Sequence, residues 1–436
     1  MDIDEKLAKL IPEGMAERGR ITMDSLLAPV KDVLNRRKFP EKPLADDQIE
    51  LMFRLLASMD TDKDPAAARV GEREARVASP YISQLAAGFN HGIGRSGHVA
   101  APQPKAPGAS MMQQVANTVV LDAIRVLGLP NVRAGLVLPL ATGMAIGLVL
   151  SALRRATGIN TVLLPRLDHT SPEKGVKLTG LNLLTTPTFL EDDAVRADLG
   201  VLEKEMAGGD SCAVLATTTF FPPREPDPVK EIARLCSDKN VPLVINNAYG
   251  VQSEKVMKSL KAAIDAGRVD AIVQSSDKNF LAPVGASIVA SPSEENVIQT
   301  AESYAGRASA SPVAQTLAAL LALGRERYMS LRAEQVENRT YLETRLTEIA
   351  ESIGQRVLAV ENTIACAMTL DGLDAEAIGG HLYNARVTGP RAIPLGGFGS
   401  CIEDYPHSYI VMNAAIGATH GDIEKATTKL FKEVSG

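Results

Sequence analysis

The sequence is poor in cysteine. Cys212, Cys236, Cys366 and Cys401 lie far apart and form no CxxC pair. This argues against a disulfide framework or a zinc ribbon, and reduced thiols in a cytoplasmic protein are the simpler reading; no metal is expected. A basic excess is also missing. The formal net charge is −6, so no global positive field recruits nucleic acid, and an RNA partner has to be held by local patches. Tryptophan is absent and aromatic residues reach only 4%, yet apolar residues make up 45% and charged residues 22%. Those values lie near the globular average and rule out a wholly disordered chain. The opening, MDIDEKLAKLIPEG, has no apolar core, so no secretory signal is expected. Repeats and low-complexity tracts are lacking too. One run has the length of a membrane span: Ala134–Leu153 is free of charge. Pro139 and the Thr142–Gly143 pair divide it, and the pattern predicts a buried strand, a tight turn and a buried helix instead.

At roughly 100–200 residues per domain, a chain of 436 residues allows two to four domains. Residues 1–110 are the most charged third and read as a helical N-terminal extension. It ends in a Gly/Pro-rich segment, His91–Ser110, too rich in breakers for a helix and expected to be a functional loop. Residues 111–325 alternate amphipathic helices with short apolar runs: Ala134–Leu140, Thr161–Pro165, Cys212–Thr217, Val241–Asn246, Val269–Val273 and Ala286–Ala290. Such runs between helices predict parallel strands covered on both faces, a doubly wound α/β domain. Residues 326–436, opening on a long helical pattern from Glu326, read as a small α+β domain.

Ligands of open parallel sheets bind at the carboxyl ends of the strands, so the residues following each run carry the chemistry. Ala141-Thr142-Gly143 opens a helix whose free N–H groups suit a phosphate. His169 follows the second run, and Asn246 and Asn247, then Ala248, Tyr249 and Gly250, close the fourth. Gln274-Ser275-Ser276-Asp277-Lys278-Asn279 follows the fifth, with Phe280 and Leu281 beyond. That apolar neighbourhood predicts a desolvated Lys278, a candidate Schiff-base former. A phosphate turn, a ring-stacking His, a polar partner for a pyridine nitrogen and a Ser-x-x-Lys, in that order, resemble the fold-type-I pyridoxal-phosphate enzymes. Asn246 or Asn247 stands where that superfamily usually has an Asp, and a neutral amide stabilises a pyridinium less. Elimination of a good leaving group suits such a site.

Six strings occur together and in order: GEREARV (Gly71–Val77), GRSGHVAAPQPKAPGAS (Gly94–Ser110), LATGM (Leu140–Met144), INNAYGVQ (Ile245–Gln252), QSSDKNF (Gln274–Phe280) and GRASASP (Gly306–Pro312). With them the chain, over about residues 10–430, resembles the family of O-phosphoseryl-tRNA:selenocysteinyl-tRNA synthases. The resemblance implies a mostly parallel seven-stranded sheet and a homotetramer of two dimers with active sites between subunits. It implies a reaction that eliminates phosphate from O-phosphoseryl-tRNA(Sec) and adds selenium from selenophosphate. Lys278 matches the lysine that bonds pyridoxal 5'-phosphate, with Ala141, Thr142, Gly143, His169, Asn246 and Ser275 around the cofactor. Arg73 matches a residue reaching the cofactor phosphate of a neighbouring subunit. Arg95, Ser96 and Gln103, in a phosphate loop over residues 94–104, match positions that hold the substrate phosphate, as does Arg307. A dianion wants planar, permanently charged guanidinium groups. Glu72 matches a filter that repels free phosphoserine and tolerates the uncharged ester; as a bare residue it reads equally as a surface glutamate.

Arg36 and Lys38 match contacts to the tRNA acceptor arm, although Arg36-Arg37-Lys38 also fits a solvated helix face. Two departures bear on the RNA. Asp265 stands where some relatives carry an RNA-contacting Arg, and the segment Ala392–Tyr405 is short and lacks the Arg that relatives use to read the tRNA end. Cys401, in GGFGSC, is the one cysteine placed for redox chemistry, and a structural thiol is the simpler reading. Two rivals remain: a phosphoseryl-tRNA sulfur transferase making cysteinyl-tRNA, disfavoured because no motif contains a cysteine, and a tRNA-binding scaffold without turnover, disfavoured by the intact Lys278, Arg73, Arg95 and Arg307.

Overall fold

A computed structural model of the chain describes residues 10–208 and 211–435. Residues 1–9, most of the opening segment on which the expectation about a secretory signal rests, lie outside the described residues. Seven strands form the main sheet: β1 (Ala134–Leu138), β2 (Thr161–Pro165), β3 (Asn182–Thr186), β6 (Cys212–Thr217), β7 (Leu243–Asn246), β8 (Ala271–Ser275) and β9 (Ser287–Ser291), while β4 (Thr188–Glu191) and β5 (Ala194–Ala197) pair as a separate hairpin. Their order is β1-β9-β8-β7-β6-β2-β3, and β9 runs antiparallel to both of its neighbours. Every residue of β2, β6, β7, β8 and β9 is buried. Helices cover both faces, which is why these strands read as unbroken apolar runs.

The edges differ from expectation. β1 ends at Leu138 rather than Leu140, and β7 begins after Pro242, which lacks the N–H a central strand must donate. β8 lies two residues further along than the apolar run, because Asp270 is tied to Arg268 and caps the Leu243 amide ahead of the strand. β3 went unread because it is an edge strand with its outer residues exposed, so it has no apolar run. Of the segment His91–Ser110, residues 107–110 are the first turn of the helix Pro107–Val126, where proline suits the opening position.

A second sheet, β10 (Ala365–Thr369), β11 (Arg391–Ile393) and β12 (Tyr409–Asn413), is antiparallel in the order β10-β12-β11 and builds its own core with Leu342, Leu346 and Ile349. The helix feeding it starts earlier than the Glu326 pattern indicated. Ser311–Ser352 is one rod broken at Gly324, where φ is 57° and ψ 171°. The extended segment Pro40–Leu44 fills the break: Leu44 N–H donates to the Leu321 carbonyl at 2.9 Å, and Arg325 and Glu326 N–H donate to the carbonyls of Pro40 and Glu41. No described helix is long and apolar enough to cross a membrane.

A Cβ at Gly324 would lie 2.6 Å from the Lys42 carbonyl carbon, in a backbone region that side chains disfavour. Gly324→Ala is expected to destabilise the protein by about 1–3 kcal/mol. A lower thermal midpoint checks this, and an unchanged midpoint would contradict the interlock.

Candidate active site

Lys278 sits in a short helix, Ser276–Phe280, that begins where β8 ends. Its placement rests on two buried amide side chains that sequence reasoning passed over. Asn279 Nδ2 donates to the carbonyls of Ala248 and Ser275 at 2.9 and 2.7 Å, and its Oδ1 accepts from Val251 N–H at 3.0 Å. Gln252 Nε2 donates to the Lys278 carbonyl at 3.1 Å, while its Oε1 accepts from Ile416 N–H at 2.6 Å. The strings INNAYGVQ and QSSDKNF are therefore one hydrogen-bonded unit. The desolvation expected of Lys278 is not found. The residue is exposed in the chain. Phe280 turns the other way, fully buried with its ring centroid 5.4 Å from that of Tyr328, and Leu281 is 47% exposed, so neither covers the amine. Lys278 Nζ lies 6.0 Å from the Tyr249 ring centroid.

Asn246 and Asn247 separate cleanly. Asn247 is committed to the fold: its Oδ1 accepts from Thr218 Oγ1 at 2.6 Å and its Nδ2 donates to Gln274 Oε1 at 3.1 Å. Asn246, at the end of β7, points to the opposite face, and its Oδ1 is buried with no partner. A buried carbonyl oxygen without a donor is a vacancy for one, and the N–H of a heterocycle fits it. Ser275, by contrast, is buried and spends its hydroxyl on Asp277 Oδ1.

The phosphate turn and the histidine are brought together by close backbone packing. A Cβ at Gly143 would lie 2.3 Å from Ser171 Oγ and 2.7 Å from its carbonyl oxygen, so only glycine lets the helices Thr142–Thr157 and Thr170–Leu178 approach this closely. Ala145 N–H bonds back to the Ala141 carbonyl, leaving the amides of Thr142, Gly143 and Met144 for an anion. His169 caps the second helix, its Nδ1 accepting from Ser171 N–H at 3.3 Å. That bond leaves the proton on Nε2. Burial, with the positive charges of Lys278 and Arg391, holds His169 below its usual range. A neutral ring standing edge-on to Phe220 at 6.0 Å results.

A second cluster is built on the GERE and GRSG strings. Glu74 pairs with Lys105, joining one string to the other, and Ile93 and Ala308 exchange two backbone hydrogen bonds that bring Arg307 beside the loop. Arg307 and Arg73 share a cavity of about 320 Å³ with Glu72, Asn90 and His91. Arg307 donates to the His91 carbonyl, its Nε is buried without a partner, and burial together with Arg73 holds its pKa below the ordinary value. Two guanidinium groups facing one cavity favour an anion there. Arg95 and Ser96 are exposed on a turn closed by paired bonds between Arg95 and His98, and Gln103 donates its N–H to Ser110 Oγ. No hydrogen bond, ion pair or ring contact joins this cluster to Lys278 among the described residues.

The family model described as O-phosphoseryl-tRNA(Sec) selenium transferase, SepSecS, matches residues 59–435. The chain belongs to that family. It is 44% identical over 98% of its length to the O-phosphoseryl-tRNA(Sec) selenium transferase of Methanopyrus kandleri, covering 99% of that protein. It is 42% identical to the enzyme of the same name from Methanococcus maripaludis, over 99% of each chain. The crystal structure of an archaeal O-phosphoseryl-tRNA(Sec) selenium transferase superposes with a TM-score of 0.95 at 42% identity, covering 99% of both chains. The family is one of pyridoxal-phosphate-dependent selenium transferases, and the α/β architecture with its mostly parallel seven-stranded sheet agrees with it.

Within this selenium transferase fold the remaining predicted residues lie apart from Lys278. Arg36 and Lys38 are exposed where the helix Glu13–Arg36 ends, Arg36 paired with Asp32 at 2.8 Å. Asp265 is taken up by Lys261 and by Asn131 Nδ2. Cys401 is fully buried, accepts from Asp168 N–H at 3.2 Å and is pushed up to about 12 by burial, the signature of an inert structural thiol. Arg391, from β11, was not anticipated: it lies over Phe221, beside the site, and a three-residue strand in the distant small sheet leaves no motif to read.

His169 provides a pH test. A folded-state pKa below 6.5 means that the unfolded chain binds the proton more tightly, so stability from neutral His169 is present above pH 6.5 and lost as pH falls through the folded value. Histidine-selective NMR, assigned with His169→Phe, is expected to show the imidazole titrating below 6.5; a midpoint above it would contradict the environment described.

Proposed function

We propose that the chain converts O-phosphoseryl-tRNA(Sec) to selenocysteinyl-tRNA(Sec), using pyridoxal 5'-phosphate as cofactor and selenophosphate as selenium donor. The observation that supports this most is the position of Lys278, locked by Asn279 and Gln252 at the carboxyl rim beside His169, with the unpartnered Asn246 oxygen and the free helix amides of residues 142–144 in the same region. Those groups match the parts of the cofactor: amides for its phosphate, a neutral ring for its face, a carbonyl oxygen for its pyridine N–H. Bound there, the cofactor supplies an electron sink for charge developing at the substrate Cα.

The chain's own residues do the rest. Lys278 Nζ takes the Cα proton as general base. Arg95, Ser96, Gln103 and Arg307 hold the β-phosphate as its bond to carbon breaks and stabilise the departing charge. Selenium of selenophosphate then bonds to the β-carbon that phosphate left, Lys278 returns the proton to Cα, and water cleaves the P–Se bond to release a second phosphate. Arg73 contributes to the cofactor phosphate of a neighbouring subunit, so the site is completed between chains of a homotetramer. The exposed Glu72 carboxylate repels free phosphoserine, whose carboxylate is charged, and tolerates the ester on tRNA. Arg36 and Lys38 meet the acceptor arm, and the enzyme works in the cytoplasm. Four buried cysteines offer no mobile thiol to carry selenium or sulfur, which favours an external donor.

Lys278→Ala is expected to form no selenocysteinyl-tRNA from phosphoseryl-tRNA(Sec) and selenophosphate; retained turnover would overturn the reading, as would a preference for sulfide as donor. Arg307→Ala is expected to lower kcat about 10²–10³-fold, the usual loss when one donor to developing charge is removed. Arg307→Lys should recover only part, because an ammonium lacks the planar fork.

A further inference from the structure

The seam between the small sheet and the main rim is closed by an apolar cluster that includes Leu167, Phe220, Ile393, Tyr405 and Tyr409. Its arginines are mostly paired. Arg166 holds Asp168, Arg224 holds Asp227 and Arg356 holds Asp193. Arg391 is different. It opens β11, half-buried, and among the described residues its side chain makes no hydrogen bond and no ion pair. Its guanidinium carbon lies 4.5 Å from the centroid of Phe221 and 5.9 Å from that of Phe220. Rings connect it to the catalytic lysine: Phe220 stands edge-on to His169, Phe221 tilts against Tyr249 at 6.3 Å, and Lys278 Nζ lies 6.0 Å from the Tyr249 centroid. Its charge reaches His169, which it helps to keep neutral.

A guanidinium resting on aromatic faces loses water from its plane and keeps its N–H donors at its edge. A partly desolvated cation of this kind calls for an oxygen acceptor carrying negative charge. Resting on the reading of Lys278 given above, the substrate brings two such oxygens near the reacting carbon: those of the phosphate and that of the acyl carbonyl. The phosphate has Arg307 and the loop of Arg95, Ser96 and Gln103, which no contact joins to Arg391 among the described residues. The other cation beside the rings, Lys278 Nζ, takes the proton, which leaves Arg391 for the carbonyl.

We propose that Arg391 binds the carbonyl oxygen of the ester that joins the phosphoseryl group to tRNA. Removing the Cα proton spreads the electron pair onto that oxygen, and a fixed cation there stabilises the charge as it forms. Arg391 donates hydrogen bonds only; the proton goes to Lys278.

The test compares two ligands that cannot eliminate, both phosphonates with methylene in place of the phosphoserine ester oxygen: the amino-acid methyl ester, and the amino alcohol in which the carbonyl is reduced away. Calorimetric binding to the holoenzyme is the readout. Wild type is expected to bind the ester more tightly than the alcohol. Arg391→Met should weaken the ester about tenfold or more, the usual loss of a charge-assisted hydrogen bond, and change the alcohol little. Arg391→Lys, which keeps the charge and the packing volume, should fall between. Equal losses for both ligands, or no loss, would overturn the assignment to the carbonyl while leaving the site itself standing. A loss seen only with full tRNA would reassign Arg391 to the RNA end and overturn it too. If wild type binds neither ligand, the reading of the Lys278 site fails as well.

Discussion

The side-chain amide of Asn279 holds the reactive rim together. It is fully buried, and its three hydrogen bonds span the carbonyls and amides of Ala248, Ser275 and Val251. Two strand ends of a parallel sheet would otherwise diverge into separate loops, each with backbone groups to satisfy. Gln252 extends the clasp from the Lys278 carbonyl to Ile416, three residues beyond β12, and its own carbonyl accepts from Arg332 in the long helix. The lysine side chain is exposed, but the backbone that carries it is held from three directions. That combination suits an amine that must first be bonded, then freed, then act as a base at one point in space.

Charge is distributed with the same economy. Arg73 and Arg307 share one cavity, where burial and the Arg73 charge hold Arg307 below its ordinary pKa, while Arg391 is left to aromatic faces between well-paired neighbours. His169 is kept neutral by burial and by cations. Arrangements of this kind leave charge without a partner, and a site so built can be complementary to developing charge instead of to its own side chains.

Much of this was legible in the sequence, for definite reasons. Strands β2 and β6 carry continuous apolar residues because both faces are covered, so their bounds agree with the runs TVLLP and CAVLAT. The motif strings also fold together: INNAYGVQ and QSSDKNF are joined through Asn279 and Gln252, and GRSG and GRASASP through the paired backbone bonds of Ile93 and Ala308. The edge strand β3 and the β4–β5 hairpin were missed because exposed residues interrupt their patterns. The burial expected of Lys278 was wrong because Phe280 points into the core and away from it, a matter of helix phase that adjacency in sequence cannot convey. Asn246 and Asn247 were indistinguishable as letters; alternation about the end of β7 sends one to Thr218 and Gln274 and leaves the other unpartnered. Arg391 carries no local signature, since its place over Phe220 and Phe221 arises only when a second sheet folds back over the first.

The central claim is that one particular amine carries the cofactor. Borohydride reduction of the purified protein fixes such a cofactor to its lysine, and peptide mass spectrometry then locates it. The account predicts a pyridoxyl adduct on the peptide containing Lys278 and on no other peptide. An adduct on a different lysine, or an active protein that yields none, would contradict it.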